Sequence, residues 1–136
     1  MECNPAHDQT LMTIETAEQW VERSNHKDLE GLMDLTAPQI EIIGPQGSGL
    51  MNNADLGEWL ERANLQLATI NRYAKDERIV LEQHGTWLHE DGHIKGEAIV
   101  FTVFSVKDRK VHSLARYDGK AQAFQVSGLS EEDKVD

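Results

Sequence analysis

The sequence predicts a single compact α+β domain in which N-terminal helices pack against a curved antiparallel sheet. Apolar residues first recur at three- and four-residue spacings, which favours helices, and from Leu65 onward the spacing changes to two, which favours strands. Short polar turns separate the later runs. A chain of 136 residues can bury a core without disulfide or metal staples, so one domain is the expectation.

Composition excludes several classes of partner and setting. The chain carries 24 acidic and 13 basic residues, a net charge of −11, and this field repels nucleic acid and anionic lipid. No apolar run approaches the roughly 18 residues of a membrane span. The start lacks the features of a signal peptide and Cys3 is the only cysteine, so we expect a soluble protein in the reducing cytoplasm.

The first part of the chain predicts a broken helix and a short strand. Helical spacing runs from Thr13 to Leu35 and is interrupted by the polar stretch SNHKD, which indicates one bent helix or two segments. Thr13 or Thr16 is a candidate N-cap for the first segment, and Asp28 for the second. We expect this helical region to end before Pro38 and a strand to follow in QIEII.

The middle segment predicts a turn and a further helix. The glycines of GPQGSG lack the lysine of a phosphate loop and are interpreted as turn formers. Asp55 is a candidate cap for the helix DLGEWLERANL, whose apolar face carries Leu56, Trp59 and Leu60.

The second half predicts a four-stranded antiparallel meander with a closing helix. Its strands are LATINRYA, RIVLEQHGTWL, IKGEAIVFTVFSV and KVHSLARY, with two-residue turns at 76–77, 91–92 and 108–109. A helix in DGKAQAFQVSGL is expected to stop at Gly128. The predicted domain spans residues 13–129, between a flexible N-terminus at 1–12 and an acidic tail at 130–136.

Three of these features together resemble the nuclear transport factor 2-like superfamily, and its SnoaL-like branch in particular. They are the broken helix with HKDLEGLMDLTAPQIEIIG, the GSG turn before the helix that contains Trp59, and the closing strand RKVHSLARYDG. The resemblance implies a cystatin-like cone, in which the curved sheet wraps the helices around an interior ligand pocket. Members include polyketide cyclases, ketosteroid isomerases, dehydratases, epoxide hydrolases and proteins that only bind a partner.

Strand alternation then sorts the meander residues into two faces, because side chains in a strand point alternately to opposite sides. With two-residue turns, the first face carries Thr69, Asn71, Tyr73, Val80, Glu82, His84, Glu97, Ile99, Phe101, Val103, His112, Leu114 and Arg116. The second carries Ile79, Leu81, Gln83, Trp87, Val100, Thr102, Phe104, Val111, Ser113 and Tyr117. The first face mixes apolar and ionisable groups as ligand pockets do, whereas the second is typical of a core or a dimer face.

The candidate site follows from the first face. His84 is the candidate acid or base, because its ordinary pKa lies near neutrality, and Glu82 would orient it. The candidate ligand-binding residues are Arg116, Asn71, Tyr73, Trp59, Trp20, Phe101 and His112. Epoxide hydrolases of this superfamily have an Arg-x-Asp pair on the strand that is matched here by Glu82, Gln83 and His84, and an acidic residue where this sequence has Arg116. Both differences argue against that activity.

Structural interpretations of the same residues stay open. Glu82 and Arg116 would then form a pair that holds the sheet, His84 would be a hydrogen-bonded histidine without catalytic role, and the tryptophans would belong to the core. His89 and His93 flank a turn without a third ligand, so neither a metal nor another cofactor is expected.

Three functions are compatible with the predicted fold and candidate site. The leading hypothesis is a homodimeric protein that binds a small hydrophobic or carboxylated ligand and catalyses cofactor-free proton transfer, as an isomerase, cyclase or dehydratase. The second is a binding module with the same pocket and no turnover. The third is an interaction module whose sheet pairs with another chain.

Overall fold

A computed structural model describes residues 5–44, 47–52, 55 and 64–135. Its regular elements, in chain order, are helix α1 (Pro5–Asn25), helix α2 (Leu29–Asp34), strands β1 (Thr36–Gly44), β2 (Gly47–Asn52), β3 (Leu65–Lys75), β4 (Arg78–Leu88), β5 (Ile94–Lys107) and β6 (Lys110–Tyr117), helix α3 (Lys120–Ser127), a 3₁₀ turn (Glu131–Asp133) and strand β7 (Lys134–Val135). This architecture confirms the predicted α+β class.

The strands form one curved sheet of seven strands in the order β2-β1-β6-β5-β4-β3-β7. The predicted meander corresponds to β3 through β6 and is confirmed, with each strand pairing antiparallel to the next. The sheet is mixed rather than purely antiparallel, because β1 joins β6 in parallel. The chain crosses from β1 through its hairpin partner β2 before it enters the meander.

Helices cover both faces of the sheet. The face that packs against α1 is called the α1 face, and its core includes Trp20, Leu81 and Phe104. The opposite face packs against α3 and is called the α3 face, with a smaller core around Tyr73, Val103 and Ala123. The division matters for function, because every strand side chain belongs to one of these two environments.

The first helix begins earlier than predicted. It starts at Pro5, so Thr13 and Thr16 are interior residues and the prediction that one of them caps the helix is wrong. Both are buried, and the Thr13 hydroxyl donates to the Gln9 carbonyl, 2.9 Å away. Threonine is accommodated inside a helix when its hydroxyl bonds to the carbonyl four residues earlier. The predicted break at SNHKD is confirmed, since Lys27 has a φ of 55° between the two helices.

Other elements differ from the prediction in detail. Gly47 and Gly49 lie in β2, where they pair with Gly44 and Ile42, so they are strand residues rather than turn residues. Asp55 lies within the helix rather than at its cap, and its backbone N–H donates to Asn52 Oδ1 at 2.7 Å, so the prediction that it caps this helix is wrong. Leu56, Trp59 and Leu60 lie outside the described residues. Gly128 ends α3 with a φ of 77°, which confirms the predicted stop.

The acidic segment near the end of the chain contains a 3₁₀ turn and a short strand. Ser130 and Asp133 form a capping box around the 3₁₀ turn, and β7 pairs with β3 through Arg72 and Tyr73. The boundaries of the expected domain stay a prediction. None of the described helices combines the length and the apolar character needed to cross a membrane.

The cap of α2 provides a first test of the fold. The Asp28 carboxylate accepts a hydrogen bond from the Gly31 backbone N–H at 3.0 Å, as predicted for an N-cap. We expect Asp28→Ala to lower the free energy of unfolding by about 1 kcal/mol in urea denaturation. Asp34→Ala, an exposed carboxylate at the other end of α2, is the control and should change it much less. Equal losses in the two variants would contradict the capping role.

Candidate functional site

The predicted register of β4 with its neighbours is largely confirmed. Glu82 lies opposite Phe101 and His84 opposite Ile99 on β5, and Asn71 lies opposite Glu82 on β3. His84, Glu82, Asn71, Tyr73 and Phe101 therefore share one face of the sheet, as predicted. That face is the α3 face, on the far side of the sheet from α1.

The predicted register of β6 is wrong by one residue. The turn at 108–109 pairs Lys107 with Lys110 as expected, but the register shifts between Ser105 and Val106. Beyond this bulge Phe101 lies opposite Tyr117, and Arg116 lies opposite Thr102 on the α1 face. The prediction that Arg116 shares a face with Glu82 and His84 is therefore wrong. A one-residue bulge reverses the face of every residue that follows it.

A second irregularity moves Thr69. The register of β3 shifts between Thr69 and Asn71, so that Thr69 pairs with Gln83 instead of His84. Leu114 moves to the α1 face with Arg116, whereas Ser113 and Tyr117 move to the α3 face. The predicted turn at 91–92 also differs, because His89, rather than Glu90, bonds to His93 across it.

Glu82 helps to hold α3 on the sheet. Asn71 Nδ2 donates to Glu82 Oε1 at 3.2 Å, and the Lys120 ammonium of α3 lies 4.0 Å from the same oxygen. The Lys120 ammonium also lies 5.3 Å from the centroid of the Tyr73 ring. The rings of Tyr73 and Phe124 pack edge to face, with their centroids 4.9 Å apart. The hydrogen bond to Glu131, followed by one to Tyr73, raises the pKa of Lys120. These contacts tie Glu82 to the attachment of α3.

His84 has a different neighbour from the one predicted. Its Nε2 lies 3.6 Å from Glu97 Oε1, and the two side chains are 42% and 51% exposed. An exposed pair of this kind is screened by water, so it provides little of the desolvation that tunes a catalytic group. Phe101 is buried in the smaller core, and His112 is exposed beside the β6 bulge.

The α1 face contains a chain of polar side chains within its apolar core. The Thr102 hydroxyl donates to Gln83 Oε1 at 2.9 Å, and Gln83 Nε2 donates to the Thr69 hydroxyl at 3.2 Å. Gln83 and Thr102 have no exposed surface. Buried amides and hydroxyls are costly unless they are bonded, and this chain satisfies both partners.

Arg116 lies directly across from Thr102 on this face. Its Nε is buried and forms no hydrogen bond with any residue that the structure describes. Burial lowers the pKa of the Arg116 guanidinium, because desolvation disfavours its charged form. A buried guanidinium nitrogen without an acceptor is the kind of group that a bound anion satisfies.

Of the two tryptophans assigned to the site, only Trp20 falls within the described residues; Trp59 lies outside them. Trp20 is fully buried on the α1 face, where its Nε1 donates to the Thr36 hydroxyl at 3.0 Å. Trp20 and Arg116 are thus on one side of the sheet, and the other described candidates are on the opposite side.

Sequence reasoning missed Gln83, Thr102 and Thr69 as a connected group. The available signal was an amide and a hydroxyl that alternate with apolar residues on strands otherwise typical of a core. Among the described residues, no group of three or more acidic, histidine or cysteine side chains could hold a metal ion.

N-terminal helices packed against a curved, mixed seven-stranded sheet are the architecture of the nuclear transport factor 2-like fold, and solved structures with that fold match this chain. A nuclear transport factor 2-like protein of unknown function from Cytophaga hutchinsonii matches with a TM-score of 0.67 at 11% identity, over 82% of this chain and 94% of its own. No protein-family model and no curated protein matches the chain.

Two further structures have the same fold. A Mycobacterium tuberculosis protein in complex with estradiol-17beta-hemisuccinate matches with a TM-score of 0.68 at 17% identity, over 81% of this chain and 95% of its own. A candidate polyketide cyclase from Xanthomonas campestris matches with a TM-score of 0.66 at 19% identity, over 88% of this chain and 98% of its own. These structural matches establish the fold. Their sequence identities are too low to establish the activity.

Proposed function

We propose that this protein binds a small, largely apolar ligand with a carboxylate on the α1 face of its sheet, where Arg116 receives the carboxylate. The observation that carries the proposal is the buried Nε of Arg116, which finds no acceptor among the described residues. A carboxylate can accept two parallel N–H bonds from one guanidinium, so it satisfies this nitrogen and offsets the buried charge together.

The α1 face that extends from Arg116 along β5 suits an apolar ligand body. From Thr102, which lies opposite Arg116, this face continues through the buried Val100 and the exposed Ala98 to the half-buried Gly96, about 20 Å away at the rise of a strand. Trp87 lies opposite Gly96 and is only partly buried. Aromatic and apolar residues with one fixed charge are the usual composition of a small-molecule site.

The ligand of one structural neighbour supports the same class. Estradiol-17beta-hemisuccinate, found with the Mycobacterium tuberculosis protein, is a large apolar body with a carboxylate. The proposal concerns binding. Catalysis by His84 and Glu82, the homodimer and the cytoplasmic setting stay predictions.

Calorimetric titration with estradiol-17beta-hemisuccinate, and with estradiol as the matched ligand without a carboxylate, tests the proposal. We expect the hemisuccinate to bind more tightly than estradiol. Arg116→Met should weaken the hemisuccinate by about ten- to a hundredfold, because a charge-assisted hydrogen bond contributes about 1.5 to 3 kcal/mol. The same variant should bind estradiol unchanged and should unfold at no lower urea concentration, since it removes an unsatisfied buried nitrogen.

His84→Gln is the matched control on the opposite face. If the ligand lies against Arg116, this variant binds the hemisuccinate with wild-type affinity. Equal affinities for the two ligands, or a loss in His84→Gln as large as in Arg116→Met, would contradict the proposal. The second of these outcomes would favour the catalytic assignment of His84 instead.

A further inference from the structure

A cavity lies on the α3 face, across the sheet from Arg116. Its volume is about 340 Å³, which is within the range of small-molecule sites. Strands β1, β6 and β5 form its floor, and the last turn of α3 covers one side through Val126 and Ser127. No residue of this cavity takes part in the site proposed above.

The floor of the cavity is built from two parallel rows of side chains. The register aligns Glu41, Ser113, Ser105 and Arg78 across four neighbouring strands. This polar row has an acid at one end, a base at the other, and two hydroxyls between them. The adjacent row on the same face is apolar and consists of Ile43, Ala115 and Val103.

The two charged ends are separated by three strand spacings. Neighbouring strands lie about 4.8 Å apart, so the Cα atoms of Glu41 and Arg78 are about 14 Å apart. The side chains of Glu41 and Arg78 extend toward each other from the two ends of the row. The distance between the carboxylate and the guanidinium is therefore shorter and matches the length of a small molecule. An acid facing a base across such a gap complements a dipolar ligand.

The charged groups are available to a ligand. Glu41 forms no ion pair with any residue that the structure describes. Arg78 uses Nη1 to donate to the carbonyls of Val126 and Ser127, at 3.4 and 3.2 Å. A guanidinium has five N–H donors, so most of them remain for a carboxylate.

We infer that this cavity, referred to below as the α3-face cavity, binds a free α-amino acid with an aliphatic side chain. The ligand carboxylate accepts hydrogen bonds from Arg78 and from the hydroxyl of Ser105, and its ammonium donates to Glu41 and to the hydroxyl of Ser113. The aliphatic side chain lies on the apolar row and contacts Val126 of α3. The bulge at Ser105 also brings His112 to the rim of the cavity.

An NMR titration of the ¹⁵N-labelled protein with L-leucine tests the inference. We expect shifts confined to amides around the α3-face cavity, including those of Ser105, Ser113 and Val126. Two analogues serve as matched ligands: L-leucine methyl ester lacks the carboxylate, and 4-methylpentanoate lacks the ammonium. Each should bind about tenfold more weakly than leucine, because each loses a hydrogen bond between charged groups.

Glu41→Gln keeps the shape of the exposed side chain and removes its charge, so it should weaken leucine binding by about tenfold. Glu97→Gln, an exposed carboxylate on the same face outside the cavity, should bind leucine as the wild type does. Arg78 is left unchanged because it also holds the last turn of α3.

Two results would overturn the inference. One is the absence of shifts up to the solubility limit of leucine, or shifts that fall elsewhere in the protein. The other is 4-methylpentanoate binding as tightly as leucine, because Glu41 would then contribute nothing. Arg116→Met should bind leucine normally, so failure here and failure of the proposed α1-face function are distinguishable.

Discussion

Trp20→Ala is expected to lower the free energy of unfolding by about 3 to 5 kcal/mol, the range for removing a fully buried large aromatic side chain. Trp20 has no exposed surface, and its ring meets the edge of Phe104 with centroids 5.3 Å apart. Its Nε1 also bonds to Thr36, whose hydroxyl in turn donates to the Leu32 carbonyl at 2.6 Å. One side chain therefore joins α1 to the end of α2, the start of β1 and the centre of the sheet.

Urea denaturation followed by far-ultraviolet circular dichroism measures this effect without depending on tryptophan fluorescence. Trp20→Phe keeps most of the ring and loses the hydrogen bond, so we expect a smaller loss of about 1 to 3 kcal/mol. Trp87→Ala is the matched control, because Trp87 is on the same face but only partly buried. A loss in Trp87→Ala that equals the loss in Trp20→Ala would contradict the central position of Trp20.

The second large effect is expected at Gln83. Gln83→Ala should lower the free energy of unfolding by about 3 kcal/mol, because it opens a cavity and leaves the buried Thr102 hydroxyl without its acceptor. Gln83→Leu preserves the volume but still leaves that hydroxyl unpaired, so we expect a loss of about 1 to 3 kcal/mol. Thr69 is partly exposed, so its hydroxyl can form a hydrogen bond with water in either variant.

A double-mutant cycle separates the hydrogen bond from packing. Adding Thr102→Val to Gln83→Leu replaces both partners with apolar groups, so the double variant should recover much of the stability that Gln83→Leu loses. Losses that simply add in the double variant would show that the two side chains do not act as a pair. Equilibrium urea denaturation of the four proteins provides the comparison.

The candidate site was only partly predictable, and the reason lies in β-bulges. Counting outward from the turns placed Glu82, His84 and Phe101 correctly, because the register shift between Trp87 and Leu88 offsets the one-residue difference at the 91–92 turn. From Trp87 to Arg78, β4 and β5 then pair without interruption. The same counting misplaced Arg116, because one extra residue near Ser105 is invisible to an alternation argument. No glycine or proline marks that position in the sequence.

Local patterns alone determined the class of the fold, the four strands of the meander, the Asp28 cap and the Gly128 stop, because each depends on residues close in the sequence. The tertiary structure decided which face of the sheet each helix covers and therefore where each polar group lies. The Nε of Arg116 is buried on the α1 face, and Glu82 is held by Lys120 from α3, because packing between distant segments selects the side that a strand presents to each helix. Alternation fixes only that neighbouring residues point to opposite sides; contacts far apart in the chain decide which side becomes the binding site.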